Sequence, residues 1–197
     1  MLNPEVSEEI SSVGSSEKSA WFAMSATFGR ELKAKDYLES HDVECFIPMR
    51  YTMVTDKRQV KVRKLIPAIH NLLFVHTTKQ CIQTLKKGQS YLQYLTMPMD
   101  GRNVPIIVPE NQMQQFITVC NTYDDKLVYL SPDEINLDEG TPVKIVGSAF
   151  DGVEGTFVRV KKGRKKQVVV SVQGVAAVVI AKFTDGYLQL LEPTSNQ

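Results

Sequence analysis

The sequence predicts an α+β domain, a mostly antiparallel sheet with helices against it, followed by a small five-stranded β-barrel. Three observations carry that reading. Residues 20 to 120 alternate between the two-residue apolar period of strands and the wider period of helices. Residues 123 to 138 keep neither period and turn acidic, with Asp124, Asp125, Asp133, Glu134 and Asp138 around Pro132. From Thr141 on, five short strand-like runs follow one another across glycine turns, and closing them into a barrel hides their edges.

The opening apolar run, Ala20-Trp21-Phe22-Ala23-Met24, suits a buried central strand, and Gly29 ends it. Arg30 to Ser40 then reads as a helix with Ala34, Tyr37 and Leu38 on one face and Leu32 pointing away. Val43 to Met49 alternates as a half-buried strand and stops at Pro48. Lys57 to Lys64 places five cations in eight positions, with Val60 and Val62 between them. A solvated hairpin with one basic edge is expected there. In the segment Pro67 to Val75, the second half is a strand, whereas Ala68 to Asn71 is a loop that shows Ile69 to solvent. Thr78 to Lys87 is a helix, capped by Thr77 or Thr78 and ended by Gly88, with Cys81, Ile82 and Leu85 inside. Tyr91 to Leu95 and Ile106 to Val108 are strands, and Asp100-Gly101 is a turn. In the helix Pro109 to Asn121, Met113, Phe116, Ile117 and Cys120 fall at core spacing, with Pro109 and Glu110 fitting its first turn.

The acidic stretch is a linker, and its apolar piece Leu127 to Leu130 is extended and suited to docking on one domain. The barrel strands are Thr141 to Val146, Thr156 to Val160, Gln167 to Val172, Val175 to Ile180 and Leu188 to Leu191. In the first hairpin Gly147, Gly152 and Gly155 fall at short intervals; Asp151-Gly152 marks a turn, and Gly155 suits a bulge or tight strand entry. Phe150 stands among small and polar residues on that loop. Either its ring folds back over the barrel, or it is an aromatic anchor for a partner. Lys161, Lys162, Arg164, Lys165 and Lys166 crowd five cations around Gly163. That tip is either a soluble turn or a nucleic-acid-binding loop for DNA or nascent RNA.

Composition narrows the function classes. A formal net charge of +1 gives no global attraction to nucleic acid or membrane, so any attraction is local. No apolar run approaches the ~18 residues of a membrane span. Residues 1 to 18 carry acids and serines where a secretory signal needs a basic and then an apolar segment, and they read as a disordered tail. Cys45, Cys81 and Cys120 are odd in number, far apart and set among apolar neighbours, which fits buried thiols in a reducing cytoplasm. His41, His70 and His76 have no nucleophile or ligand-spaced acids beside them, so neither an enzyme nor a metal or cofactor site is expected.

Val143, Lys144, Ile145, Gly147, Phe150, Gly152 and Gly155 together resemble the KOW motif of the NusG family of transcription elongation factors. Trp21-Phe22-Ala23-Met24, Gly29, Glu31, Tyr37-Leu38-Glu39 and Phe46-Ile47-Pro48 resemble the opening strand, first helix and second strand of that family's NGN domain. Pro67 to Val75 resembles its proline, apolar pair, Pro-Gly-Tyr and Val-Phe-Val run, with the departure that His70-Asn71-Leu72 replaces Pro-Gly-Tyr. The resemblance implies a tail over 1–18, an NGN-like domain over 19–121, a linker over 122–138 and a KOW domain over 139–193. It implies a cytoplasmic, monomeric transcription factor whose NGN domain grips the clamp helices of RNA polymerase at positions matching Ile69, Leu72 and Phe46. Its KOW barrel then engages Rho or a ribosomal protein, with Phe150 the matching anchor. The run Val168 to Val178 and the serine-rich N-terminus further resemble the UpxY-type paralogues, antiterminators of capsular polysaccharide operons. Some relatives refold the C-terminal domain into helices, whereas valine density and glycine turns here imply a constitutive barrel. The rival reading is a KOW-containing RNA- or ribosome-binding protein.

Overall fold

The computed structural model describes residues 17–123, 127–130, 140–159, 166–172, 175–180 and 187–191. Two compact units divide the chain: residues up to Pro48 join His70–Glu110 in one, and Met49–Ile69 join the residues from Asn111 onward in the other.

The first unit is built on strand β1 (Ala20–Ala26), whose side chains from Trp21 to Met24 are all buried. A strand apolar on both faces must be covered on both, and so takes the middle of a sheet. Strand β5 (Leu72–Thr77) lies antiparallel beside it, with Ala20 opposite Thr77 and Ser25 opposite Leu72. Strand β2 (Glu44–Phe46) extends the sheet from β5, and β6 (Leu92–Tyr94) pairs with the end of β1. Strand β9 (Ile107–Val108) pairs with its beginning, at Trp21 and Phe22. The ladders are antiparallel throughout, as the spacing predicted. Helix α1 (Glu31–Glu39) packs on β1 and β2 with Ala34 and Leu38 buried. Helix α2 (Lys79–Lys87) starts where the Thr78 hydroxyl accepts from Cys81 N at 3.2 Å, and Gly88 ends it. The Tyr37 hydroxyl donates to Leu85 O at 3.1 Å, a hydrogen bond that links the two helices. A hairpin of β7 (Thr96–Met99) and β8 (Arg102–Pro105) turns at Asp100-Gly101. The turn was expected; its two strands were not.

The second unit contains a basic hairpin, a helix and a six-stranded sheet. Strands β3 (Met49–Thr55) and β4 (Lys61–Pro67) pair over seven positions. The Asp56 carboxylate closes their turn by accepting from Arg58 N at 2.8 Å and Val60 N at 2.9 Å. Helix α3 (Glu110–Cys120) buries Met113, Phe116, Val119 and Cys120. Ile117, expected inside, is half-buried, and Val119 takes the core place instead. The sheet runs in the order β10 (Leu127–Leu130), β14 (Ala176–Ile180), β13 (Lys166–Val172), β12 (Glu154–Arg159), β11 (Thr141–Val146), β15 (Tyr187–Leu190). The five strands expected of the barrel are all present, and the linker piece β10 docks on them as a sixth. Leu130, Val158, Val169, Ala177 and Val179 form a shared core.

Gly155 fixes how closely β12 and β13 approach. A Cβ there meets the Val169 carbonyl oxygen at 2.8 Å and Val168 Cγ1 at 2.9 Å, so the backbones pass where no side chain fits. Gly155→Ala is expected to cost about 2 kcal/mol in a urea unfolding titration, through overpacking against backbone that cannot yield. A second prediction concerns pH. Burial pushes the Cys120 thiol up to about 12, from 9.0 for a free thiol, against a smaller opposing pull from its hydrogen bond with Tyr129. The folded chain therefore holds this proton more tightly than the unfolded chain. The resulting stability is full below pH 9 and is lost as pH rises towards 12. The stability advantage of wild type over Cys120→Ala should shrink by up to about 1.4 kcal/mol per pH unit in that window, read from paired urea midpoints.

Candidate functional site

The first unit carries a strained corner between β1 and α1. Phe28 and Gly29 both take left-handed backbone, at φ 65° and 64°, and Asn71, at the entry to β5, takes φ 61°. Glycine reaches this region freely and asparagine tolerates it, whereas a phenylalanine there costs roughly 1–2 kcal/mol. The Phe28 ring recovers little of that by burial, because the residue is 83% exposed.

Hydrogen bonds explain how the corner is held. Glu31 is only 2% exposed, and a buried carboxylate needs donors. It accepts the Asn71 backbone N–H, with His70 Nδ1 at 3.6 Å. Asn71 is also gripped at its other polar groups: its carbonyl accepts from Ala26 N at 2.8 Å and its side-chain oxygen from Gly29 N at 3.0 Å. Around this clasp lie two exposed cations. The Arg30 guanidinium sits 5.6 Å from the Phe28 ring centre and 5.3 Å from that of Tyr91, and Lys33 Nζ lies 5.4 Å from Tyr91.

The residues named from the sequence fall in different environments. Ile69 is half-buried, so the loop shows only part of its side chain. Phe46, at the end of β2, is also half-buried and lies opposite Phe74. Leu72 is 4% exposed. Its expected place on a contact surface is corrected: it is the first residue of β5, paired with Ser25, and its side chain faces the core. Phe150 takes the first of its two predicted placements, with its residue 4% exposed. The loop is closed beneath it, since Gly147 N donates to the Asp151 carboxylate at 2.7 Å, Phe150 N to Ser148 Oγ at 3.1 Å and Val153 N to Phe150 O at 3.0 Å. Lys161, Lys162, Arg164 and Lys165 lie outside the described residues, and Lys166 opens β13. Sequence reasoning missed Phe28 and Asn71. The signals available were an aromatic directly before a strand-ending glycine, and an asparagine at a loop-to-strand junction.

The hairpin of the second unit is basic as predicted. Arg63 lies 4.1 Å over the Tyr51 ring, and Met53 on the same face is exposed. Among the described residues no group of histidine, cysteine and acidic side chains is arranged to hold a metal ion, and no helix is long and apolar enough to cross a membrane. Burial pushes the Cys45 thiol up to about 11, a shift that Lys35 nearby partly opposes. That thiol is therefore protonated near neutrality, and a protonated thiol is a poor nucleophile.

The profile of the family described as "Transcription termination factor nusG" matches residues 19–117. A solved structure, titled "Domain interaction in Thermotoga maritima NusG", aligns over 83% of this chain and 93% of its own, at 19% identity and a TM-score of 0.41. No curated protein matches.

Burial of Phe150 makes it a stability residue first. Phe150→Ala is expected to destabilise the chain by about 3 kcal/mol in denaturant titration, the range for deleting a buried ring. A loss below ~0.5 kcal/mol, the scale of a surface change, contradicts the burial.

Proposed function

The chain belongs to the NusG family of transcription factors, and from that premise we propose that it rides on RNA polymerase as an elongation and antitermination factor. Proteins of this family bind RNA polymerase. In the proposed mode the NGN domain, residues 19–121, grips the clamp helices through apolar surface at Ile69, with Phe46 a weaker contact. Bridging the clamp favours its closed state, to the extent that the factor binds closed polymerase more tightly than open. Pausing and termination are suppressed in consequence.

The observation that carries this reading is the family match over residues 19–117, a span that includes β1, the clasp and the loop bearing Ile69. The rest of the reading concerns the C-terminal strands. We assign residues 139–193 to a KOW-type barrel that stays free for a second partner, a ribosomal protein or Rho. Support comes from the order of its glycine turns, from the five strands at the expected places and from left-handed Gly147 and Gly152 in the loop of the motif. The valine-dense run Val168 to Val178 supports placement among the UpxY-type paralogues, with capsular polysaccharide operons as targets. The cations of the 161–166 tip would meet DNA or nascent RNA.

The test is co-purification. Ile69→Asp places a charge on the apolar contact and should cost about 2 kcal/mol or more of affinity, so RNA polymerase is no longer retained on the tagged protein. Full retention overturns the clamp assignment. Recovery of wild-type protein in ribosomal fractions after nuclease treatment, and not in polymerase fractions, favours the RNA- or ribosome-binding reading instead.

A further inference from the structure

We infer that Phe28 is an anchor for RNA polymerase on the first unit, and that Glu31 and Asn71 are the positioning residues that hold its turn. The inference rests on the proposed polymerase reading and adds to it a contact at Phe28, which the motif does not include. A strained backbone persists only where its surroundings over-determine it, and such strain gathers at binding and switch sites. Here the strained residue is an aromatic that is 83% exposed, with the Arg30 guanidinium over its ring.

Geometry supplies the rest. Glu31 fixes Asn71 by accepting its N–H, and Asn71 fixes the turn by accepting from Gly29 N, one residue beyond Phe28. The Asn71 carbonyl accepts from Ala26 N, so both sides of the turn are pinned to one residue. The Phe28 backbone is thereby held in one conformation before any partner arrives, which lowers the entropy lost on binding. An exposed ring with Arg30 and Lys33 beside it fits a helical surface that offers an apolar residue next to carboxylates. The cations would pair with the acids at the rim while the ring fills the apolar centre.

The experiment titrates the full-length chain against RNA polymerase by biolayer interferometry, using wild type, Phe28→Ala, Phe28→Tyr, Asn71→Gly and Ile69→Asp. Phe28→Ala should weaken binding about tenfold or more, mainly by faster dissociation, while Phe28→Tyr keeps wild-type affinity. Asn71→Gly accepts φ 61° without strain but deletes the acceptor for Gly29 N. It should weaken polymerase binding and speed amide exchange at Gly29, with the melting temperature held within a few degrees. A merely structural asparagine would lower the melting temperature and leave the affinity of the folded protein alone. If Ile69→Asp abolishes binding while Phe28→Ala and Asn71→Gly bind as wild type, the anchor is overturned and the polymerase reading survives. If Phe28→Ala weakens binding and Ile69→Asp does not, the anchor stands and the contact at Ile69 falls. Wild-type affinity in every variant overturns both. Should Phe28→Ala lose only its binding to a single-stranded oligonucleotide, the ring stacks on a base, and the protein-docking inference is overturned.

Discussion

A carboxylate taken out of water must find donors, and the burial of Glu31 constrains the first unit more than any other single interaction. Leaving such a group unpaired costs several kcal/mol, so a chain that buries it must bring N–H groups to it. The donor comes from Asn71, 40 residues away in sequence. Once Asn71 is fixed, its carbonyl and side chain capture Ala26 N and Gly29 N, and the end of β1, the first turn of α1 and the entry to β5 become one corner. The six-residue register of β1 on β5 then runs outward from that corner. Sheet, helix and loop share one polar fastening at the edge of an otherwise apolar interior.

The C-terminal sheet is organised by a different force. Val143, Val158, Val168, Val169, Val170, Val172, Val178 and Val179 are all buried, and β-branched side chains are stiff enough to hold strands with little further loss of rotamer freedom. Glycines settle the turns, and Gly155 sets the close approach of β12 to β13. The linker contributes as well: β10 pairs with β14, and Leu130 joins the shared core. A segment drawn from between the two predicted domains is thus part of the second unit's own packing.

Most of the architecture was legible because period and punctuation agreed. Ala20 to Met24, Thr78 with Gly88, and the glycine-broken runs after Thr141 each combine an apolar pattern with a residue that can start or stop it. Where they disagreed, the sequence misled. The β7–β8 hairpin carries Pro98 and Pro105 inside its strands and few β-branched residues, so only its turn could be read. Leu72 was placed on a contact surface by the family resemblance, yet it pairs with Ser25 as the first residue of β5 and is buried. Val119 displaced Ile117 because a helical face is wider than the strict spacing used to find it. The candidate site was the least legible part. Ile69 could be named from the motif, but Phe28 owes its exposure to hydrogen bonds between residues distant in sequence, which no local pattern records.

One proposal is central, that the clasped corner of the first unit, and separately Ile69, meet RNA polymerase. Hydrogen exchange followed by mass spectrometry, on the full chain with and without polymerase, tests it most directly. The account predicts slower exchange on binding in peptides covering residues 26–31 and 68–72, with the C-terminal strands unchanged. Unchanged exchange in both segments, with protection confined to the strands after Thr141, would contradict it.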